Sequence, residues 1–271
     1  MKKALIAAAL FAAIGTVHAD PITLTRTSIL GNGTTGTLPH SSSWSGNPWN
    51  QGKPIQGNVY AGEFKFKTAE GLDFYAFCAD IFHALNPAAT TYQMDALTAG
   101  SVAGIGSWEI ARLGYLFDNY GSYLDDPTKG KELAAFQLTM WEILFENGNT
   151  QGNKNGSPLS TGNFKVNGFG DADNLANTWI KDIYDNAENG KESELYDLFF
   201  LTSSSTCVSK YTSGTKKGQC REWSQDSQNL ISWKTKPEDP QDPNEIPEPM
   251  PLVLLTAGLL ALGFTRKLRR C

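Results

Sequence analysis

Apolar and polar residues alternate twice in the first third of the chain. From Val59 to Lys67, Phe64 and Phe66 fall in one phase, with Glu63, Lys65 and Lys67 in the other. From Leu72 to Ala79, Leu72, Phe74, Ala76 and Cys78 share a phase. A period of two marks a strand with one face in a core. Ala69-Glu70-Gly71 lies between the runs as a turn, so they read as a β-hairpin with Cys78 at its far end. Before it, Ile22 to Ile29 reads as an initial strand. A long loop rich in Thr, Ser, Gly and Asn follows, with Trp44 and Trp49 embedded in it.

The period then lengthens. Ile110, Leu113, Phe117 and Tyr120 recur at helical spacing, and Ser107 is placed to cap a helix from Trp108 to Tyr120. Asp125-Asp126-Pro127 leads into a second helix, Lys131 to Glu146. Its stripe of Leu133, Phe136, Met140, Trp141 and Leu144 is wide enough to face a core. Gln137 stands inside that stripe, four residues from Leu133 and four from Trp141. A polar Asn/Gly loop, Asn147 to Gly170, separates it from a third helix, Asp171 to Asn186, with Leu175, Trp179 and Ile183 on its buried face. Leu195 to Thr202 and Asn229 to Lys234 read as strands. The sum is an α+β domain over residues 20–235. β-Strands, barrel- or sandwich-like, lie at both ends, and a helical block is inserted between them.

Both ends of the chain carry addressing patterns. Lys2 and Lys3 precede an apolar or small stretch, Ala4 to Val17, and Val17-His18-Ala19 fits a cleavage site, so residues 1–19 read as a secretory signal peptide. Residues 236–249 form a Pro-rich, acidic, extended spacer. From 247 to 271 come Pro247-Glu248-Pro249, an apolar run from Pro251 to Phe264, and a basic tail with Arg266, Lys267, Arg269 and Arg270. The run is about 14 residues, short of the ~20 of a stable transmembrane helix, and its basic flank orients it with the cations inside. This three-part tail resembles the PEP-CTERM sorting signal of Gram-negative bacteria. The resemblance implies transient anchoring in the inner membrane, cleavage by an exosortase-type membrane protease, and release to the cell surface or extracellular matrix.

Composition narrows the rest. The net charge of −5 offers no basic field for nucleic acid. Seven Trp and 11% aromatic residues argue for an ordered core. Of four cysteines, Cys271 lies behind the apolar run. Cys207 and Cys220 bracket a polar segment of an exported chain and are the natural disulfide, worth up to about 3 kcal/mol. Cys78 is then the odd one out. The cysteine spacing matches no metal pattern, and neither a metal nor a cofactor is expected.

A carboxamide on a buried helix face costs roughly 1–3 kcal/mol if it is left without partners. One reason to place Gln137 there is a hydrogen bond to nearby main chain. Another is chemical: a thiol at Cys78 held against the Gln137 carbonyl can displace ammonia and leave a thioester. Enforced proximity supplies effective molarities of about 10⁵–10⁸ M for such a step.

Phe77-Cys78 and Gln137-Leu138-Thr139-Met140-Trp141 together resemble the thioester domains of bacterial surface adhesins. Those carry an apolar residue before the cysteine and a later Gln-x-x-Φ-Trp on a helix, where Φ is apolar. The resemblance spans roughly Phe64 to Ile183, including Leu-Ala-x-x-Trp at Leu175 to Trp179. Members often have Thr before the Gln, where this chain has Phe136. The resemblance implies a Cys78–Gln137 thioester shielded by Phe77, Phe136, Met140 and Trp141. A nucleophile on a target surface protein or polysaccharide would attack it once, a single turnover rather than enzymatic catalysis. Three other readings stand beside it. A cysteine hydrolase or transglutaminase would need a base, and His83, five residues past Cys78, has no recognisable setting in sequence. Asp125-Asp126 and Asp171-x-Asp173 fit a turn and a helix N-terminus better than calcium ligands. The main alternative is a non-covalent structural or polysaccharide-binding matrix protein that uses exposed aromatics such as Trp44 and Trp49.

Overall fold

The computed structural model describes residues 21–38, 57–146, 157–162, 164–225 and 227–237. The expected signal peptide, Trp44, Trp49, Pro247-Glu248-Pro249, the apolar run and the basic tail lie outside the described residues. One compact unit runs to Thr235, and Lys236–Cys271 forms a second. Among the described residues, no helix is long and apolar enough to cross a membrane.

Strands β1 (Ile22–Ile29), β2 (Thr34–Leu38), β3 (Gly57–Ala61), β4 (Phe64–Thr68), β5 (Asp73–Cys78) and β6 (Thr90–Ala96) come first. Helices α1 (Ser107–Tyr120), α2 (Gly130–Phe145) and α3 (Asp171–Asn186) follow. Strands β7 (Tyr196–Ser203), β8 (Ser205–Lys210), β9 (Cys220–Gln225) and β10 (Leu230–Thr235) complete the order. Six of these strands close into an antiparallel barrel in the order β1-β4-β5-β10-β7-β6, while β2–β3 and β8–β9 form separate two-stranded sheets. Strand β6, which the pattern did not reveal, bridges β1 and β7 and completes the closure. Closure removes the free edges that an open sheet would expose.

The expected hairpin is β4–β5, with Phe64 opposite Ala76 and Phe66 opposite Phe74. Leu72, expected on its buried face, lies before β5 and is exposed. Strand β5 runs past the start of β4, so its last two residues face only β10 across the ladder, with Phe77 opposite Ile231 and Cys78 opposite Leu230. Phe77 packs outward on the helical layer. It stacks on Phe136 of α2 at 4.9 Å, and Phe117 of α1 meets Phe136 edge-on.

Helix α2 has more than a stripe in the core. Every residue from Leu133 to Phe145 is buried, because α1 and α3 flank it and β2 and β3 contact it. Its first residue, Gly130, meets the main chain of Gly31, where an added Cβ would lie 2.4 Å from the Gly31 oxygen. That contact seats the start of α2 against the turn after β1. Helix α1 is capped by Gly106 rather than Ser107, and Glu109 accepts the Gly106 N–H at 2.9 Å. The segment expected as a polar loop carries Phe164, Val166 and Phe169 into the core ahead of α3.

Glu63, buried at the entry to β4, accepts the Asp125 N–H at 3.1 Å. Burial, reinforced by repulsion from the Asp125 carboxyl, holds its pKa well above the ordinary carboxylate value. The folded chain therefore keeps a proton that the unfolded chain gives up. The stabilisation from that proton is complete below the ordinary carboxylate pKa and is lost as pH rises above it. Glu63→Gln keeps the shape without the titration. Its denaturant midpoint should fall less than the wild type's between about pH 5 and 8. Equal falls in both proteins would contradict a buried, protonated Glu63.

Candidate functional site

Cys78 ends β5 with only 2% of its surface exposed. Main-chain groups of successive strand residues point to alternate sides. The Ala79 N–H donates to the Asn229 oxygen at 2.9 Å, toward β10. The N–H and C=O of Cys78 therefore face the other side, where β4 has already ended. Gln137 fills that gap. Its Oε1 accepts the Cys78 N–H at 2.9 Å, and its Nε2 donates to the Cys78 oxygen at 2.8 Å. One carboxamide thus supplies the donor and the acceptor that a neighbouring strand would have offered. Phe136, the preceding residue, stacks on Phe77 and fixes the register of α2 against β5. Met140 is buried further along the helix, and Trp141 lines a cavity beside the cysteine.

The structure brings Cys78 and Gln137 together, as the sequence suggested, but Gln137 spends both ends of its amide on the Cys78 main chain. The thiol meets a different carboxamide. One end of the Gln228 amide lies 2.5 Å from Cys78 Sγ. Gln228 Cδ, the carbon a thiol would attack, is one bond from the atom in that contact. With its hydrogen bonding satisfied, the Gln228 nitrogen donates to the main-chain oxygens of Asp80 at 2.9 Å and His83 at 3.2 Å. Its oxygen is then the atom turned to the thiol.

Gln228 is 6% exposed, and both neighbours hold it in place. Ser227 Oγ accepts the Tyr92 hydroxyl at 2.9 Å and the Asn86 N–H at 2.9 Å, and Ser203 Oγ donates to the Ser227 main-chain oxygen at 2.5 Å. Asn229 accepts the Ala79 N–H on its main chain and the Ser203 N–H, at 3.3 Å, on its side chain. These bonds tie the segment ahead of β10 to β7 and β6. Nothing in the local sequence announced Gln228. Ser227-Gln228-Asn229 reads as an ordinary polar lead-in to a strand, and only the pairing of β10 with β5 carries it to the thiol.

Electrostatics favour a neutral thiol. Burial, and secondarily the negative charge of Asp80, pushes the Cys78 pKa up. Burial likewise raises Tyr92, to about 12. Cys78 and Gln228 line a cavity of about 210 Å³ that also takes in Arg26, Asp80, His83 and Trp141. Asp80 is buried. Its Oδ1 accepts the Phe82 N–H at 2.6 Å, and its Oδ2 lies 2.7 Å from His83 Nδ1. His83 therefore has a setting that its sequence neighbours did not show.

Cys207 and Cys220 lie on the paired strands β8 and β9. Cys207 stands opposite Trp223, and Cys220 stands opposite Lys210, three positions along β8 from Cys207. The side chains of both residues, and with them the expected disulfide, lie outside the described residues. Among the described residues, no group of three or more His, Cys, Asp or Glu could hold a metal. Asp126 Oδ1 accepts from the Thr128 N–H and hydroxyl, and Asp173 accepts the Phe169 N–H ahead of α3. Both are turn and helix-end roles.

No known family profile matches the chain, and no curated protein matches it. Solved structures overlap it only loosely, two of them thus. One is the N-terminal domain of the Streptococcus pyogenes pilus tip adhesin Cpa, 13% identical, covering 79% of this chain and 98% of that one, with a TM-score of 0.36. The other is the thioester domain of the Enterococcus faecium TIE86 protein, 14% identical, covering 82% of this chain and 79% of that one, with a TM-score of 0.34. Superpositions this loose say nothing about chemistry, which lies in the distances around Cys78.

Replacing Gln137 with Leu keeps the volume but strips two partners from a buried main chain. The cost should be roughly 1–3 kcal/mol for each group left unpaired. Urea denaturation measures it, and an unchanged midpoint would show that water or a shifted strand takes over both bonds.

Proposed function

We propose that Cys78 and Gln228 condense into an internal thioester, and that the exported protein uses it once to bond covalently to a target. The observation that carries this is the Gln228 carboxamide against Cys78 Sγ, in a segment fixed on both sides. The thiol sulfur adds to Gln228 Cδ, its proton passes to the departing nitrogen, the C–N bond breaks, and ammonia leaves. Proximity replaces the activation that a neutral, buried thiol lacks. The surrounding Phe64, Ile81 and Trp141 keep bulk water from the product.

In this reading Gln137 is the residue that pins Cys78, not the acyl donor. Its carboxamide would have to abandon two buried hydrogen bonds to react. A lysine amine or sugar hydroxyl on a surface protein or polysaccharide then attacks the Gln228 acyl carbon. An amide or ester forms and the Cys78 thiol is released. The acyl group is spent, so the protein is a single-turnover binder and not an enzyme. The secretory signal and the PEP-CTERM-like tail fit this role. They would carry the domain through the inner membrane to an exosortase-type protease and then to the cell surface or matrix.

Intact mass of the exported protein is the test. The wild type should be short by one ammonia and resist thiol alkylation, and methylamine should add to Gln228. Cys78→Ala and Gln228→Ala should each restore full mass, whereas folded Gln137→Leu, which loosens Cys78 but keeps the acyl donor, should lose ammonia more slowly. Full mass with a freely alkylated Cys78 would leave the non-covalent matrix reading. A methylamine adduct on Gln137 would return the acyl role to that residue.

A further inference from the structure

The cavity beside the thiol holds a histidine that thioester formation does not consume. His83 is 22% exposed at its side chain and lines the same cavity as Cys78 and Gln228. Asp80, 2% exposed, sits behind it with Oδ2 at 2.7 Å from Nδ1. A carboxylate only accepts, so Nδ1 carries the donated hydrogen and Nε2 is the basic nitrogen of the neutral ring. Phe82 N–H holds the other carboxylate oxygen, which fixes the Asp80 plane and with it the imidazole. The main-chain oxygens of the same two residues receive the Gln228 amide nitrogen. Residues 80–83 therefore wrap the carboxamide with their backbone and present an oriented base with their side chains.

We propose that His83, positioned by Asp80, is the general base and acid of acyl transfer from the Cys78–Gln228 thioester to its target. This rests on the thioester reading above. An amine or hydroxyl entering the cavity attacks Gln228 Cδ and passes its proton to His83. The C–S bond breaks with its electron pair on sulfur, and His83 returns the proton to Cys78 Sγ. The products are the amide or ester and a neutral thiol, with every proton accounted for. The return step is needed because burial and Asp80 both oppose a thiolate at Cys78. The cavity, about 210 Å³, is below the ~300–1,000 Å³ of a typical small-molecule site. It suits one side chain or one sugar hydroxyl arm rather than a whole ligand.

His83→Gln leaves the main-chain contact to Gln228 in place, so the variant should still lose ammonia on intact mass. Adduct formation with methylamine and with glycerol, followed by mass, should slow by about 10²–10⁴-fold, the usual contribution of a positioned base. Added imidazole should restore much of the rate, which a purely structural loss would not allow. An unchanged rate, a slow rate that imidazole does not rescue, or a His83→Gln protein of full mass each overturns the proposal. A wild-type protein of full mass would instead defeat the thioester reading itself, so the two failures are distinguishable.

Discussion

Strand β5 outruns its neighbour β4, and the site depends on how the exposed rung is filled. A strand end with unpaired N–H and C=O groups inside a core costs free energy, so some element must satisfy it. Helix α2 does so with one side chain, Gln137, whose carboxamide matches the donor and acceptor of Cys78 at 2.9 and 2.8 Å. The Phe77–Phe136 stack sets the helix at the right height. The glycine contact between residues 31 and 130 sets its near end. With the Cys78 backbone fixed on both edges, its side chain has little freedom left, and the thiol is delivered to one place.

Two carboxamides therefore serve one cysteine in different ways. Gln137 meets the main chain and is fully committed there. Gln228 meets the sulfur, and its amide is held by backbone oxygens at one end while the other faces the thiol. The asymmetry follows from topology. Gln137 comes from a helix lying over the missing rung, whereas Gln228 comes from the segment leading into the strand that pairs with the other edge of β5.

Much of the barrel was legible because its strands alternate and its helices keep an apolar period. The β4–β5 hairpin, the three helices and the two late strands follow from that pattern. Strand β6 escaped because four of its seven residues are polar, although Tyr92, Met94 and Ala96 do alternate with Thr91, Gln93 and Asp95. The Cys78–Gln137 neighbourhood was legible because a lone cysteine and a glutamine among apolar residues both stand out. Which atoms meet was not, since local periodicity cannot tell a main-chain partner from a thiol partner. Gln228 stayed hidden for the opposite reason. A glutamine in a polar lead-in looks unremarkable until β10 is paired with β5. His83 was hidden likewise, because its environment is built from Asp80 and a cavity that close only in three dimensions.

Burial at this site works in two directions. It keeps the thiol protonated and sheltered, and would protect the proposed acyl group from water and from wandering nucleophiles. It also removes the thiolate that would ordinarily make a cysteine reactive. Chemistry at Cys78 must therefore come from position rather than from charge. The hydrogen bonds through Ser227, Asn229, Ser203 and Tyr92 supply that position for Gln228, just as Gln137 supplies it for Cys78. The cavity at Arg26, His83 and Trp141 lies beside both residues, and its volume of about 210 Å³ would limit what reaches the proposed acyl group to a single reactive group.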